Sequence, residues 1–130
     1  FMLSAEPDAE VVEEATGRVD AIYTKIRTLE GKPMFVVSLQ SVDGKAHYMQ
    51  LYVEAKSRDA EVDEALKLHM PLIVSRLNAL FSGQDFDELR SIDMKRKMQD
   101  DALELVQGIM QDKIGQAGVE NILFTNLVMQ

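Results

Sequence analysis

Residues 34–55 have the sequence MFVVSLQSVDGKAHYMQLYVEA, and this stretch decides the fold. Its first part, residues 34–42, is dense in the β-branched and aromatic residues that favour strands. In its last part, residues 47–55, apolar and polar residues alternate with the period of two that is typical of a half-buried strand. Between them, Asp43-Gly44 predicts a type I′ turn, because both central positions of that turn need a positive φ. The stretch therefore predicts an antiparallel β-hairpin.

The alternation in the second hairpin strand divides its side chains between two faces. The set expected to face the core is His47, Met49, Leu51, Val53 and Ala55, and the half-solvated set is Tyr48, Gln50, Tyr52 and Glu54. Successive side chains of a strand point to opposite faces of the sheet. The second set therefore presents two tyrosines on a surface that the core does not use.

The residues before the hairpin predict one more strand and an acidic lead-in. Residues 19–29 alternate with a period of two, and the sequence Glu-Gly-Lys-Pro at 30–33 separates them from the hairpin. Residues 1–20 contain six acids and one base, whereas the remaining 16 acids and 13 bases nearly balance. Residues 1–18, acidic and poor in large apolar side chains, are predicted to form a solvated linker ahead of a domain that spans residues 19–130.

The apolar period changes after the hairpin and predicts a long helix. Residues 57–83 carry apolar side chains every three or four positions, with Ser57 or Asp59 as the cap and Gly83 at the end. Pro71 lies inside this pattern. Because proline lacks a main-chain donor, we expect a kink or a restart of the helix there.

A second long helix is predicted from a cap at Ser91 or Asp93, after a short helical turn at residues 85–90. Its apolar stripe comprises Met94, Met98, Ala102, Leu105 and Ile109, flanked by Val106 and Met110, and its end is set by Gly115 and Gly118. Three consecutive cations, Lys95 to Lys97, lie near the positive end of the helix dipole, which is mildly unfavourable for them. We therefore expect this basic cluster to have an acidic neighbour or partner.

The last segment, residues 119–130, is predicted to be a strand with apolar side chains on both faces. Ile122, Phe124 and Val128 are expected on one face, and Leu123, Leu127 and Met129 on the other. A strand that is apolar on both faces is expected to be covered on both sides, as a central strand or under a helix. The predicted fold class is α+β, with a small antiparallel sheet of three N-terminal strands and a C-terminal strand packed against two long helices.

Composition and charge exclude several classes of protein. The chain of 130 residues has no cysteine, which excludes disulfides, thiolate chemistry and Cys-ligated zinc. Its net charge is −8 with no basic stripe, so nucleic-acid binding is disfavoured. No run of apolar residues is long enough to span a bilayer.

No motif supports catalysis, a cofactor or a metal site. The two histidines, His47 and His69, are far apart in sequence and are expected to be packed or half-exposed side chains. The chain has no HExxH motif, calcium loop or phosphate loop. Carboxylates at one-turn spacing, such as Asp100 and Glu104, have a geometry usable for acid–base work, but a solvated helix face is the simpler interpretation. The prediction is a protein that is not an enzyme.

Two stretches together resemble a known family. The helix sequence LHMPLI at residues 68–73, followed by LFS at 80–82 and DFDEL at 85–89, is similar to the HMP, LLS and (Y/F)-x-D/E-L motifs of FliL, the flagellar basal-body-associated family. The ending VENILFTNLVMQ, residues 119–130, resembles the terminus V-x-x-(V/I)-x-F-T-x-F-V-x-Q of that family.

The hairpin strands are similar to the preceding strands of the same family, so the resemblance covers roughly residues 33–130. Two positions depart from the family pattern. Ser38 stands where many members carry Asn, and Leu127 replaces an aromatic residue.

The resemblance implies a single-pass inner-membrane protein of bacteria, with this domain in the periplasm and the acidic lead-in as a stalk after a membrane helix. It also implies a stomatin (SPFH)-like domain that assembles into a ring around the ion-conducting stator unit of the flagellar motor. Such a ring is expected to support torque, motility and swarming. The implied partners are further copies of the chain, the stator subunits and the basal body.

Two hypotheses of function stay open. The first is a non-enzymatic, ring-forming scaffold whose self-association residues are Tyr48, Gln50 and Tyr52 on the hairpin and Lys95, Arg96 and Lys97 on the second helix. On this hypothesis the basic cluster meets an acidic region across a subunit boundary. The second is a monomeric periplasmic peptide- or solute-binding domain that uses an exposed sheet edge. An enzyme of an undetected class is a third and weaker hypothesis.

Overall fold

The computed structural model describes residues 20–27 and 34–130, which form four β-strands and three α-helices. The strands are β1 (Ile22–Ile26), β2 (Met34–Leu39), β3 (His47–Ser57) and β4 (Asn121–Met129). The helices are α1 (Ala60–Leu68), α2 (Met70–Ser82) and α3 (Ile92–Ile114), with a 3₁₀ turn at Glu88–Arg90. This confirms the predicted α+β class. The acidic lead-in and the predicted break at residues 30–33 lie outside the described residues.

All four strands belong to one antiparallel sheet in which β3 is the central strand. β1 pairs with residues 53–57 of β3, and β2 pairs with residues 47–52. β4 pairs with residues 49–56. Because a strand has two edges and β4 overlaps both other partners, β1 and β2 follow one another along the opposite edge of β3.

β2 and β3 form the predicted hairpin, but the predicted type I′ turn is wrong. Seven residues, 40–46, connect the paired strands. Within them Gly44 has a φ of +72°, its N–H donates to the Ser41 carbonyl at 3.2 Å, and Asp43 does not have a positive φ. The Asp43 side chain accepts a hydrogen bond from the Lys45 N–H at 2.8 Å instead. An Asp side chain that bonds to nearby main chain stabilises a loop without left-handed backbone at its own position.

The first predicted helix is divided in two, as the proline predicts. Asp59 caps α1, since its carboxylate accepts a hydrogen bond from the Glu61 N–H at 2.9 Å. α1 ends at Leu68 and α2 begins at Met70, with Pro71 in its first turn. Proline is tolerated there because the first turn of a helix has no intrahelical partner for its N–H groups.

α3 begins at Ser91, whose Oγ accepts hydrogen bonds from the N–H groups of Asp93 and Met94 at 3.2 and 3.4 Å. It ends at Gly115, which has the left-handed φ of +76° that favours glycine. The buried residues of α3 are Met98, Ala102, Val106, Ile109 and Met110. Leu105, which the predicted stripe includes, is only half-buried.

The three helices cover one face of the sheet, and three aromatic rings join the two layers. Phe81 of α2 is fully buried, and its ring centroid lies 5.1 Å from that of Phe35 on β2 and 5.7 Å from that of Phe124 on β4. Both pairs are nearly perpendicular, at 86° and 82°. Edge-to-face rings attract through their quadrupoles in addition to the area that they bury. Phe81 therefore packs α2 against β2 and β4, the strands on the two sides of β3.

The prediction that the last strand is covered on both sides, as a central strand or under a helix, is wrong for one of its two faces. Among the described strands β4 pairs only with β3, and its Val128 is 45% exposed. The register shifts by one residue at Asn126, which has a φ of +54° and forms a β-bulge. A bulge reverses the alternation beyond it. As a result Leu127 and Met129 pack against the core together with Phe124, whereas Val128 points outward.

Phe81→Ala is expected to lower the free energy of unfolding by about 3–5 kcal/mol, because it removes a fully buried ring and leaves a cavity. Phe124→Ala is expected to cost less, since that ring is only half-buried. Urea unfolding followed by circular dichroism measures both changes. Val42→Ala, at a side chain that is 90% exposed, is the control and is expected to change stability by less than about 0.5 kcal/mol. Equal losses from Phe81 and Phe124 would contradict this arrangement of the core.

Candidate functional site

The face of the sheet that points away from the helices is the main candidate surface. We call it the open face; it comprises Tyr23, Lys25, Met34, Val36, Ser38, Tyr48, Gln50, Tyr52, Glu54, Lys56, Leu123, Thr125 and Val128. Four large apolar side chains on it are exposed, Tyr23 and Val36 at 52%, Tyr48 at 46% and Val128 at 45%. The cause is the pleat, which directs alternate residues away from the core, together with the position of the described helices, which all lie on the other side of the sheet.

Strand pairing makes the apolar part of the open face contiguous. Gln50 on β3 lies between Val36 on β2 and Val128 on β4. Two residues further along β3, Tyr52 pairs with Met34. Cβ atoms of directly opposed residues are about 4.5–5.5 Å apart, so these side chains form one patch. A contiguous apolar patch is typical of an interaction surface, whereas scattered exposed apolar residues are not.

The opposite end of the open face is charged. Lys25 on β1 pairs with Glu54 on β3. Lys56 and Arg58 reach the carboxylate of Glu120, at 3.8 and 2.8 Å. Ion pairs at this exposure contribute little to stability. They therefore act mainly as a polar border to the apolar patch.

The structure does not bring the two predicted sets of self-association residues together. Tyr48, Gln50 and Tyr52 lie on the open face, as the alternation predicts. The basic cluster, Lys95 to Lys97, lies in the first turns of α3, in the helical layer on the other side of the sheet. The role of both sets in self-association stays a prediction.

One member of the basic cluster has an acidic neighbour in its own helix. The Nζ of Lys97 lies 2.9 Å from the carboxylate of Asp101, and this hydrogen bond raises the pKa of Lys97. Among the residues that the structure describes, neither Lys95 nor Arg96 has an ion pair. The cluster therefore keeps two cations available for a partner.

Sequence reasoning missed several members of the open face, among them Tyr23, Val36, Leu123 and Val128. The period of two in the first three strands was a usable signal for two of them, since it sets Tyr23 and Val36 opposite the core. Leu123 and Val128 were harder to find. Their position depends on which strand β4 joins and on the bulge, and neither follows from periodicity.

A second polar arrangement lies at one end of β3, around His47. Its Nε2 is 3.0 Å from a carboxylate oxygen of Asp43, and its Nδ1 is 3.1 Å from the main-chain oxygen of Gln130. The imidazole ring also stacks on Phe86, with centroids 3.7 Å apart. Both polar partners are acceptors, and the imidazole can donate to both at once only when both of its ring nitrogens carry a proton. The half-buried state predicted for His47 is confirmed.

Over residues 20–27 and 34–130, no three His, Asp or Glu side chains are grouped so that they could hold a metal ion. The helices of this part of the chain include none with the length and apolar character needed to cross a membrane.

Comparison with known proteins gives one family. The model of the family described as flagellar basal body-associated protein FliL matches residues 28–130. No curated protein matches the sequence. The family match covers every strand and helix described above except β1.

The ion pair of His47 with Asp43 predicts a pH-dependent contribution to stability. The Asp43 hydrogen bond raises the pKa of His47 from its ordinary 6.5, so the contribution is fully present below pH 6.5 and is lost as the pH rises through the raised value. Hydrogen bonds from the Lys45 N–H and from His47 lower the pKa of Asp43 below 3.8, so its contribution is lost only in stronger acid. The difference in unfolding free energy between wild type and His47→Gln is therefore expected to be largest between these limits.

Chemical unfolding at a series of pH values measures that difference. Asp43→Asn is the matched variant and is expected to remove most of the pH dependence, because the amide cannot carry the carboxylate charge. A difference between wild type and His47→Gln that is constant from pH 5 to pH 9 would contradict a protonated His47.

Proposed function

Because the chain belongs to the FliL family of flagellar basal body-associated proteins, we propose that it is a non-enzymatic scaffold that assembles into a ring around the ion-conducting stator unit of the motor. On this proposal the domain, residues 19–130, stands in the periplasm. Residues 1–18 are a stalk that leads to a membrane helix in the inner membrane. The ring supports torque generation, motility and swarming. The proposed fold relationship is to the stomatin (SPFH) domain.

The open face supports this proposal most strongly. A monomer that worked alone would leave four large apolar side chains of one sheet face 45–52% exposed. Tyrosine is enriched at protein interfaces, because its ring buries a large area and its hydroxyl tolerates water. Burial of this patch against another copy would remove apolar area from water and drive association.

The separation of the two predicted sets supports a ring more than a closed dimer. A two-fold dimer uses the same surface on both copies, whereas a ring needs two different surfaces that meet head to tail. The open face and the basic cluster of α3 lie on opposite sides of the molecule. If the open face of one copy contacts the α3 side of the next, every subunit boundary contains the open face of one copy and the basic cluster of its neighbour.

A monomeric periplasmic domain that binds a peptide or solute at a sheet edge is the second candidate. One observation favours it, a groove of roughly 430 Å³ beside β1, lined in part by Tyr23, Lys25 and Lys67. The oligomeric state separates the two functions, because edge binding of a ligand needs no second copy.

The double variant Tyr48→Thr/Tyr52→Thr is expected to weaken self-association while folding is preserved, since threonine keeps the strand preference and loses the aromatic area. Lys95→Glu/Arg96→Glu/Lys97→Glu is expected to weaken it as well, with an effect that shrinks at high salt. Sedimentation velocity over a range of concentrations, in solution and with the chain tethered to lipid vesicles, measures both.

Two controls match these variants. Leu68→Gln removes a large apolar side chain that is 74% exposed on a helix, away from the open face. Lys45→Glu/Arg76→Glu/Lys113→Glu changes the net charge by the same amount at other sites. A chain that stays monomeric at high concentration on vesicles would overturn the ring. Association that is equally weakened by the controls would overturn the surfaces assigned to it.

A further inference from the structure

The groove beside β1, which we call the β1 groove, runs along one edge of that strand. One wall consists of the consecutive residues 22–25 of β1, and the other wall consists of Asp63, Lys67 and Met70 of the helices. Successive side chains of a strand point to opposite faces of the sheet. A groove that is lined by consecutive residues therefore follows the edge of the strand, where main-chain groups lie.

Hydrogen bonds along β3 show which main-chain groups face this groove. The carbonyl of Lys56 accepts a hydrogen bond from the Glu120 N–H at 2.8 Å, and Tyr48 exchanges two hydrogen bonds with Gln130 at 3.1 and 2.9 Å. Both of these β3 residues therefore face the side of β4. In an antiparallel strand the bonding side alternates from one residue to the next. Lys56 thus turns its main-chain groups away from Tyr23, its partner on β1.

This alternation assigns the two edges of β1 residue by residue. Ile22, Thr24 and Ile26 are opposite β3 residues whose groups face β1, so they form the ladder with β3. The N–H and carbonyl groups of Tyr23 and Lys25 point to the β1 groove instead. Within residues 20–27 and 34–130, nothing bonds to these four groups. Such an edge is a template for one more strand.

The helical wall holds the groove in a defined shape. The hydroxyl of Thr24, which is buried, donates a hydrogen bond to the carboxylate of Asp63 on α1. Asp63 also lies 3.0 Å from the Nζ of Lys67, one turn further along the helix. The hydrogen bonds from Thr24 and Lys67 lower the pKa of Asp63, so its carboxylate stays charged and keeps both partners. α1 is therefore fixed beside β1 before any ligand binds.

The charges that line the groove favour an acidic occupant. Three of them are cations, Lys25, Arg27 and Lys67, and Asp63 is the one anion. Asp63 neutralises Lys67, and Glu54 lies across from Lys25 on β3. One positive charge remains in excess even if both of these pairs are counted as neutral. The groove is thus positive, although the chain has a net charge of −8.

We propose that the β1 groove binds an extended, carboxylate-bearing segment of a partner protein as an additional strand of the sheet. The main chain of the segment pairs with Tyr23 and Lys25, and this pairing supplies affinity for any extended sequence. Carboxylates at alternate positions lie across from Lys25 and Arg27, which are two residues apart and so share a face. Opposite charges directly across a strand pair are favourable. They select acidic segments over others.

The proposal rests on sheet-edge binding, the second candidate function above, and adds the chemical class of the ligand. It does not depend on the ring. The added strand uses the main chain at the edge of β1, whereas self-association is assigned to side chains of β3 and α3. Peptide binding at β1 and sedimentation of the chain therefore test different proposals.

Hydrogen exchange of the full chain, followed by NMR, tests the added strand. The probe is the acetylated and amidated peptide TETETVT, which carries glutamates at alternate positions. At saturation it is expected to slow exchange of the Tyr23 and Lys25 amides by about tenfold or more, because their N–H groups become bonded. The amides of Thr24 and Ile26, already bonded to β3, are expected to change little and serve as internal controls.

Two matched peptides separate the charge from the main-chain pairing. The peptide TKTKTVT replaces both glutamates by lysine and is expected to give no protection. TETETVT with N-methyl groups on its glutamates and valine keeps the charge but has no N–H to donate to β1, and it is also expected to give none. Protection by the N-methylated peptide would overturn strand addition.

The variant Lys25→Gln/Arg27→Gln tests the protein side of the charge pairing. It is expected to weaken binding of TETETVT by roughly tenfold, with a loss that shrinks at high salt. Lys45→Gln/Lys113→Gln removes two cations elsewhere and is the control. Unchanged core amide signals show that each variant is folded. Equal affinity of both variants would overturn the assigned cations.

The remaining outcomes distinguish the acidic ligand from sheet-edge binding itself. Equal protection by the glutamate and lysine peptides would overturn the acidic class and leave sheet-edge binding in place. Protection by none of the peptides would overturn both. Slow exchange of Tyr23 and Lys25 in the chain without peptide, equal to that of Thr24, would show that the edge is already occupied and would also overturn the proposal.

Discussion

Alternation along β3 fixes two surfaces at once. Met49, Leu51, Val53 and Ala55 are at most 1% exposed under the helices, and the pleat then forces the residues between them to the other side. β3 also pairs along both of its edges, so every other strand takes its position from it. The alternation along β3 therefore determines both the core and the open face. A change of register in β3 would exchange them.

Much of the fold follows from local rules that the sequence states directly. Asp59 and Ser91, each one of two predicted candidates, cap their helices. Pro71 divides the first helical segment and Gly115 ends the last helix, as predicted. The errors arise where one side chain changes the backbone. Asp43 bonds to Lys45 and replaces the predicted turn by a longer loop.

The terminal strand shows what periodicity cannot supply. A residue in left-handed backbone at Asn126 inserts a bulge, and every face assignment after it is reversed. Because of this bulge, only part of the open face could be predicted from the sequence. Tyr48, Gln50 and Tyr52 follow from alternation within one strand, whereas Val128 needs the pairing partner and the bulge. Strand order is a long-range property, and no local pattern encodes it.

The outer edge of β4 is partly occupied by side chains. The N–H and the carbonyl of Ile122 are bonded to the side chains of Asn121 and Gln99. Main-chain groups that are already bonded cannot pair with an added strand. The proposed association uses side chains of the open face instead of this edge, which suits an assembly with a fixed number of subunits better than an open-ended sheet.

The central claim is that the open face contacts another copy of the chain in the motor. A photo-reactive amino acid at position 50, between Val36 and Val128, reports this directly in cells. The account predicts covalent dimers and higher species whose crosslinked peptides come from the α3 side of a second copy. The same group at position 68, on a helix, is the control. Crosslinks at position 50 that reach no second copy, while the protein is folded and at the basal body, would contradict the account.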